Sequence, residues 1–263
     1  MLSIDYSGFQ FVLKLVLFGF LLLRIPRIFA WFRKFKILVP LVWGDICRTK
    51  MLREQGKEPF GYFGVRMFCG RQGSGKTTAL VWYLDKIRKE FPNVKVYTNF
   101  DYLGQEARLN SLNDLLKYRN GEQGVVFALD EIQNEFSSAS SRNFPETLLS
   151  ALTMQRKQRV CILATSQVFG RVAKPLREQC YQVVECKTFL HRWTKLKAFD
   201  ADDYNKVIDN PDPMKRLKLP KIWRESFVQT DVLREKFDTY EIVNRLSRQG
   251  FVARYSYTES DQS

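Results

Sequence analysis

Eight residues, Gly70-Arg71-Gln72-Gly73-Ser74-Gly75-Lys76-Thr77, constrain this chain more than any others. They satisfy the spacing G-x-x-x-x-G-K-[ST] at every fixed position. Glycines, which carry no Cβ, let successive backbone N–H groups turn inward and form a concave anion site. A cation at the seventh position and a hydroxyl at the eighth supply what a polyphosphate and its Mg²⁺ require. Such a loop needs a strand before it and a helix after it. Val65-Arg66-Met67-Phe68-Cys69 is a short, mostly apolar run between Gly64 and Gly70, as a buried strand would be. Ala79 to Ile87 has apolar residues at helical spacing. A helix opening at Thr78 turns the positive end of its dipole toward the anion. The expectation is an ATP site in which Gly70, Gln72, Gly73, Ser74, Gly75, Lys76, Thr77 and Thr78 surround the phosphates. Lys76 neutralises charge there and Thr77 holds Mg²⁺.

Farther on, Val125-Val126-Phe127-Ala128-Leu129 reads as a buried strand that delivers Asp130 and Glu131 at its end. Hydrolysis needs a carboxylate to steady the metal and a separate base within reach of the attacking water. Adjacent residues at a strand end point different ways, so Asp130 is expected at Mg²⁺ and Glu131 at the water. A further strand, Val160 to Thr165, ends in Ser166-Gln167. Ligands of parallel sheets bind beyond the carboxyl ends of strands, so Gln167 is a candidate γ-phosphate sensor.

Composition adds a second constraint. Hydrophobic content of 45% and charged content of 27% are ordinary for a folded chain, but the net charge of +14 is not. A basic balance suits a nucleic acid or an anionic membrane surface as partner, and also serves solubility. The five cysteines show no C-x-x-C spacing and read as small core residues of a reducing compartment. His191 is the sole histidine, which excludes histidine triads and multi-histidine metal sites except around itself.

Residues 1 to about 50 differ from the rest. The run from Tyr6 to Leu23 is nearly all apolar apart from Lys14, and continues to Trp31 past Arg24, Pro26 and Arg27. A spanning helix needs about 20 apolar residues, and a lysine can snorkel. A membrane anchor, an interfacial helix and a core helix all fit. A cleaved leader fits less well, because no cation precedes the run and no small-x-small site follows it. Arg24, Arg27, Arg33, Lys34 and Lys36 place the C-terminal side in the cytoplasm by the positive-inside rule. Ile37 to Trp43 is a second apolar stretch, too short to span and expected to break at Pro40. The resulting plan is a membrane-anchoring segment over 1–47, a linker over 48–60, a nucleotide-binding domain over 61–200, and a small basic C-terminal region over 201–263 with a disordered tail. Within that region Lys215, Arg216, Lys218, Lys221 and Arg224 cluster near Trp223, and a helix is expected over 234–246. The fold expected for the domain is α/β, a mostly parallel sheet flanked by helices.

These motifs together resemble the zonula-occludens-toxin-like assembly ATPases of filamentous phages, within the FtsK/HerA-type group of P-loop motors. The resemblance covers residues 60–190. It rests on the Gly70–Thr77 loop, Val96-Tyr97-Thr98-Asn99, Leu129-Asp130-Glu131, Arg142-Asn143-Phe144, Arg156-Lys157, Thr165-Ser166-Gln167 and Leu176-Arg177. It implies a ring-forming, membrane-associated ATPase that exports or handles phage DNA, with other assembly or virion proteins as partners. The family's membrane helix follows its ATPase domain, whereas the apolar segment here precedes it, as in DNA translocases and conjugative coupling proteins. In such rings an arginine from the next subunit neutralises transition-state charge. Arg142 is the first candidate, with Arg156 and Arg177 as alternatives.

The reading is therefore a single-pass protein of the host's inner or cell membrane with a cytoplasmic ATPase domain. It would hydrolyse Mg-ATP to drive DNA or virion assembly and export. A genome-packaging or conjugative motor, a slow membrane switch or scaffold, a small-molecule kinase and a non-enzymatic DNA-binding protein remain as alternatives.

Overall fold

The computed structural model describes residues 31–109, 114–134, 146–208 and 219–237. The chain divides into two compact units, Met1–Glu58 and Pro59–Ser263.

In the first unit, residues 31–54 form one helix, α1. It continues through Pro40, where a break was expected, although the Pro40 ring leaves its ladder one N–H short. It also takes in residues 48–54 of the expected linker, a stretch in which arginine, lysine, leucine, methionine and glutamate favour a helix. Arg53 Nε then donates to Glu58 Oε2 at 2.6 Å and closes the chain behind the helix end. Large apolar side chains stand exposed along α1, among them Trp31, Phe32, Leu41 and Trp43. No helix among the described residues is long and apolar enough to cross a membrane. The apolar run expected to do so, residues 6–31, lies outside them except for Trp31.

The second unit is built on an eight-stranded sheet of order β3-β2-β4-β5-β1-β6-β7-β8. In chain order its elements are β1 (Gly64–Cys69), α2 (Lys76–Glu90), β2 (Lys95–Thr98), β3 (Ala107–Arg108), α3 (Asp114–Lys117), β4 (Val125–Leu129), α4 (Glu146–Thr153), β5 (Val160–Ser166), α5 (Lys174–Glu178), β6 (Cys180–Phe189), β7 (Trp193–Asp200), α6 (Ala201–Ile208), β8 (Lys221–Val228) and α7 (Asp231–Arg234). β3, β2, β4, β5, β1 and β6 run parallel. β7 and β8 are antiparallel additions at the far edge. The mostly parallel α/β sheet expected from the motifs is the one found.

The central strands β4 and β5 are buried at every position. Helices cover both faces of a parallel sheet, so its strands read as continuous apolar runs without alternation. On one face Phe68, Val126 and Leu163 pack against Leu80, Leu84 and Ile87 of α2. On the other, Met67, Phe127, Ile162 and Val183 pack with Phe169 and Tyr204. Fully burying one such large apolar side chain contributes roughly 1.5–3 kcal/mol. Gly124 enters β4 at φ +72 and lies so close to Phe60 that a Cβ would collide with its ring. Only glycine satisfies both conditions.

β7 and β8 are the elements that the sequence pattern did not announce. Each keeps one face buried and the other open, so its apolar residues alternate with lysines and arginines. Thr194, Leu196 and Ala198 are buried while Trp193 and Lys197 are exposed. On β8, Trp223 stacks on Tyr83 and Phe227 on Trp82, with the latter ring centroids 4.8 Å apart. Stacked pairs contribute about 0.5–1.5 kcal/mol beyond burial, and these two tie the edge strand to α2. The boundary expected at residue 200 thus falls inside one unit, whose sheet β8 completes. A helix was expected over 234–246, but α7 ends at Arg234 and residues 235–237 are turn and bridge; residues 238–246 lie outside the described residues.

Cys69, Cys161, Cys180 and Cys186 are buried and Cys47 is exposed, all as free thiols. Burial raises the four interior thiols, with Cys161 and Cys180 pushed up to about 12. The thiolate is the reactive form. We expect one fast-reacting thiol, Cys47, when the native protein is titrated with a chromogenic disulfide, and five after denaturation. Fast modification of four or five in the native state would contradict this packing.

Candidate nucleotide site

The geometry of the loop follows from its two inner glycines. Gly73 sits at φ +75 with open space around the position a Cβ would take, so its backbone can approach a phosphate. Gly75 sits at φ +80, and a Cβ there would meet Thr188 Oγ1 at 2.5 Å and Gln229 Nε2 at 2.8 Å. These neighbours form a support behind the loop. Thr188 Oγ1 donates to the Ser74 carbonyl at 2.9 Å and lies 2.9 Å from Thr194 Oγ1. Gln229 Nε2 donates to Thr194 at 2.7 Å, and Arg234 Nε donates to Gln229 Oε1 at 3.1 Å. Thr194 and Gln229 are buried, so each unmade bond there would cost about 1–3 kcal/mol. The loop rests on a satisfied polar wall contributed by the β6–β7 hairpin and the residues after β8.

α2 begins at Lys76, which is buried, and Lys76 Nζ donates to the Arg71 carbonyl at 3.4 Å. It also stands 3.7 Å from Glu131 Oε1. Thr77 Oγ1 donates to Asp130 Oδ1 at 3.0 Å, so the expected pair of metal-holding oxygens is brought together. Strand order explains the convergence. β5 lies between β1 and β4, and its end therefore lies between the loop and the two carboxylates.

From that position the wholly buried Thr165 organises both acids. Its hydroxyl donates to Asp130 Oδ1 at 2.6 Å and accepts the Glu131 N–H at 2.8 Å. From the other side the Asn99 amide grips the Asp130 backbone in both directions. Asn99 Nδ2 donates to the Asp130 carbonyl at 3.1 Å, and the Asp130 N–H donates to Asn99 Oδ1 at 2.7 Å. Glu131 itself holds φ +51, a left-handed conformation uncommon for a side chain of its size. That bend turns the two neighbouring carboxylates apart, and Thr165 and Asn99 fix it. The Glu131 carboxylate accepts from Gln133 Nε2 and, at 3.4 Å, from Gln167 Nε2. Burial pushes the Asp130 carboxyl up, opposed by its bonds from Thr165 and Thr77.

The structure brings together Lys76, Thr77, Asp130, Glu131 and Gln167, five of the residues singled out from the sequence. Sequence reasoning did not foresee the bracing roles of Asn99, Thr165 and Gln133, although the polar residues at the ends of β2 and β5 were a visible signal. Arg142 lies outside the described residues. Arg156 stacks over the Phe63 ring at 5.6 Å, just before β1 and hence at the end of that strand opposite the loop. Arg177 donates to Asn205 Oδ1 at 2.9 Å. Both alternative arginines are thus engaged within their own subunit. Among the described residues no cluster of histidine, cysteine and carboxylate groups could hold a further metal.

The donor set fits Mg-ATP. A hydroxyl and a carboxylate oxygen side by side suit a hard divalent cation. The Ser74 hydroxyl is buried without a hydrogen-bond partner beside Gly70.

Comparison with known proteins agrees with this reading. Residues 66–188 match the family model described as "ATPase family associated with various cellular activities (AAA)". No curated protein matches the chain. Among solved structures, the chain is similar to the N-terminal domain of zonular occludens toxin from Neisseria meningitidis. The identity is 16%, the match covers 68% of this chain and 100% of that one, and the TM-score is 0.49. It is also similar to the genome packaging NTPase of Sulfolobus turreted icosahedral virus 2 in complex with ATP-gammaS. There the identity is 13%, the match covers 53% of this chain and 93% of that one, and the TM-score is 0.39. A third match is the FIGL-1 AAA domain in complex with ADP, at 14% identity, 46% of this chain, 42% of that one and a TM-score of 0.33. The second unit is an ATP-hydrolysing P-loop NTPase.

Replacing Thr165 by valine keeps the volume but removes one of the two hydroxyl bonds to Asp130 and leaves the Glu131 N–H without its acceptor. We expect a loss of about 1–3 kcal/mol in urea melts and a fall in ATPase rate of at least tenfold. Wild-type stability and rate in Thr165→Val would contradict the bracing role.

Proposed function

We propose that this protein is a membrane-associated, Mg²⁺-dependent ATPase that moves a nucleic acid or nucleoprotein, in assembly and export of phage DNA or virions. The observation that carries the hydrolytic part is the Glu131 carboxylate. It is turned away from Asp130 and faces Lys76, Gln133 and Gln167 at the open side of the loop.

When bound, Mg-ATP supplies the phosphoanhydride that breaks and the cation that screens its charge. The chain's own residues do the rest. Backbone N–H groups of the loop from Gly73 to Thr77 hold the phosphates at the start of α2. Lys76, 3.7 Å from Glu131, stands where it can exchange that carboxylate for a phosphate oxygen. Thr77 and Asp130 would hold the cation. Glu131 takes the proton of the attacking water, and Gln133 and Gln167 orient its carboxylate. Gln167 also reports on the γ-phosphate through the same contact.

Three features support the wider reading. The charge of +14 suits a polyanionic cargo. The exposed apolar residues of α1 and the apolar run before it suit attachment to a membrane, with the ATPase unit on the cytoplasmic side. The motif resemblance suits a homo-oligomeric ring in which Arg142 reaches the neighbouring subunit's site. A packaging or DNA-transfer motor would use the same machinery on a different cargo.

In Glu131→Gln, nucleotide affinity is expected to stay within a few-fold of wild type while turnover falls about 10²–10⁴-fold. Lys76→Ala is expected to lose binding itself. Phosphate release by Glu131→Gln at the wild-type rate would remove Glu131 from the role of base.

A further inference from the structure

The period of two along β6, β7 and β8 gives these strands two different faces. Thr188, Thr194 and Phe227 belong to the face that meets the loop and α2. The opposite face carries Lys187, Lys195, Lys197 and Arg224, interleaved with Phe189 and Trp193. Register places these groups side by side, with Lys187 opposite Lys195 and Lys197 opposite Arg224. Lys195 and Lys197, two residues apart on one strand, project about 6.7 Å from each other. The rings are within reach of the cations: Lys195 Nζ is 4.0 Å from the Trp193 centroid, and Lys187 Nζ is 5.0 Å from that of Phe189. Trp193 is 41% exposed.

Like-charged side chains crowded on one sheet face repel one another; Glu185, opposite Lys197 in the register, offsets part of that charge and leaves Lys187, Lys195 and Arg224 in excess. Glu185 accepts from the Tyr204 hydroxyl at 3.0 Å, and Glu225 pairs with Lys86 of α2 at 2.6 Å. The face also borders a cavity of about 960 Å³, whose other walls include Arg71 and Ser74 of the loop and Gln167. A basic track with exposed aromatic rings is the arrangement that binds single strands: cations follow the phosphates and rings stack on bases whatever their sequence. A bilayer surface would use the cations but has no planar bases for Trp193 and Phe189.

We infer that the open face of β6–β7–β8 is a binding platform for single-stranded nucleic acid, running up to the nucleotide loop. The ligand class rests on the cargo reading above, but the platform does not depend on hydrolysis. Its reverse face offers a direct mechanical link. Thr188, between Lys187 and Phe189, holds the Ser74 carbonyl, so the platform strand and the loop share one hydrogen bond.

The test is fluorescence anisotropy of the full chain with a labelled oligothymidylate across a salt series, with no hydrolysable nucleotide present. Lys197→Gln with Arg224→Gln is expected to weaken binding at least tenfold and to reduce the slope of log K against log salt by about 1.4, or roughly 0.7 for each phosphate no longer neutralised. Trp193→Ala is expected to weaken binding roughly tenfold with the slope unchanged, because it removes stacking without removing charge. Lys117→Gln, which removes one charge elsewhere, should change affinity less than twofold. Wild-type affinity in both platform variants overturns the proposal. So does equal weakening by Lys117→Gln, tighter binding of duplex than of single strand, or binding of anionic vesicles in place of the oligonucleotide. A matching loss of affinity for a fluorescent ATP analogue in the double variant would assign the cavity to the nucleoside instead. Failure of hydrolysis in an intact oligonucleotide binder would count against the motor and leave the platform standing.

Discussion

The hydroxyl of Thr165 is the point on which the site depends. It is buried between two strands and bonds both to the Asp130 carboxylate and to the Glu131 backbone. It can do so only because β5 is inserted between β1, which carries the loop, and β4, which carries the acids. Had β4 been the direct neighbour of β1, no side chain would stand between the loop and the carboxylates to turn them to separate tasks. The sheet order therefore underlies the chemistry. The loop binds, and the inserted strand makes the two acids different from each other.

The site is built from stiff parts. The loop is held from below by α2 and from one side by the Thr188–Thr194–Gln229 wall, while the acids are held by Asn99 and Thr165. A positive φ at Glu131 costs on the order of 1–2 kcal/mol for an ordinary residue, and the bonds on either side of it offset that cost. Strain of this kind persists where surrounding structure over-determines it, and it marks functional positions.

Much of this was legible from residues alone, and the reason is physical. A phosphate-binding loop needs glycines, a lysine and a hydroxyl at fixed separations, and a parallel core strand needs an unbroken apolar run. Both leave local signatures, so β1, α2, β4 and β5 and the residues Lys76, Thr77, Asp130, Glu131 and Gln167 could be read directly. β7 and β8 escaped because their half-open faces mix lysine with leucine and phenylalanine, which resembles a basic loop until the alternation is counted. Asn99 and Thr165 act at a distance in sequence, across 31 and 35 residues from Asp130. No local pattern states which polar residue at a strand end will face a carboxylate on its neighbour. Pro40 misled in the opposite direction, since a helix can tolerate one missing N–H when its flanking residues favour the helix.

We propose that Thr77, Asp130 and Glu131 form one hydrolytic centre around a metal-bound triphosphate. Its most direct test is the release of inorganic phosphate from ATP by the purified chain, measured with Mg²⁺ and again with excess chelator. Steady release is expected that stops when the metal is withdrawn and returns when it is restored. Release that is indifferent to the metal, or absent with Mg²⁺ both with and without nucleic acid, would contradict it.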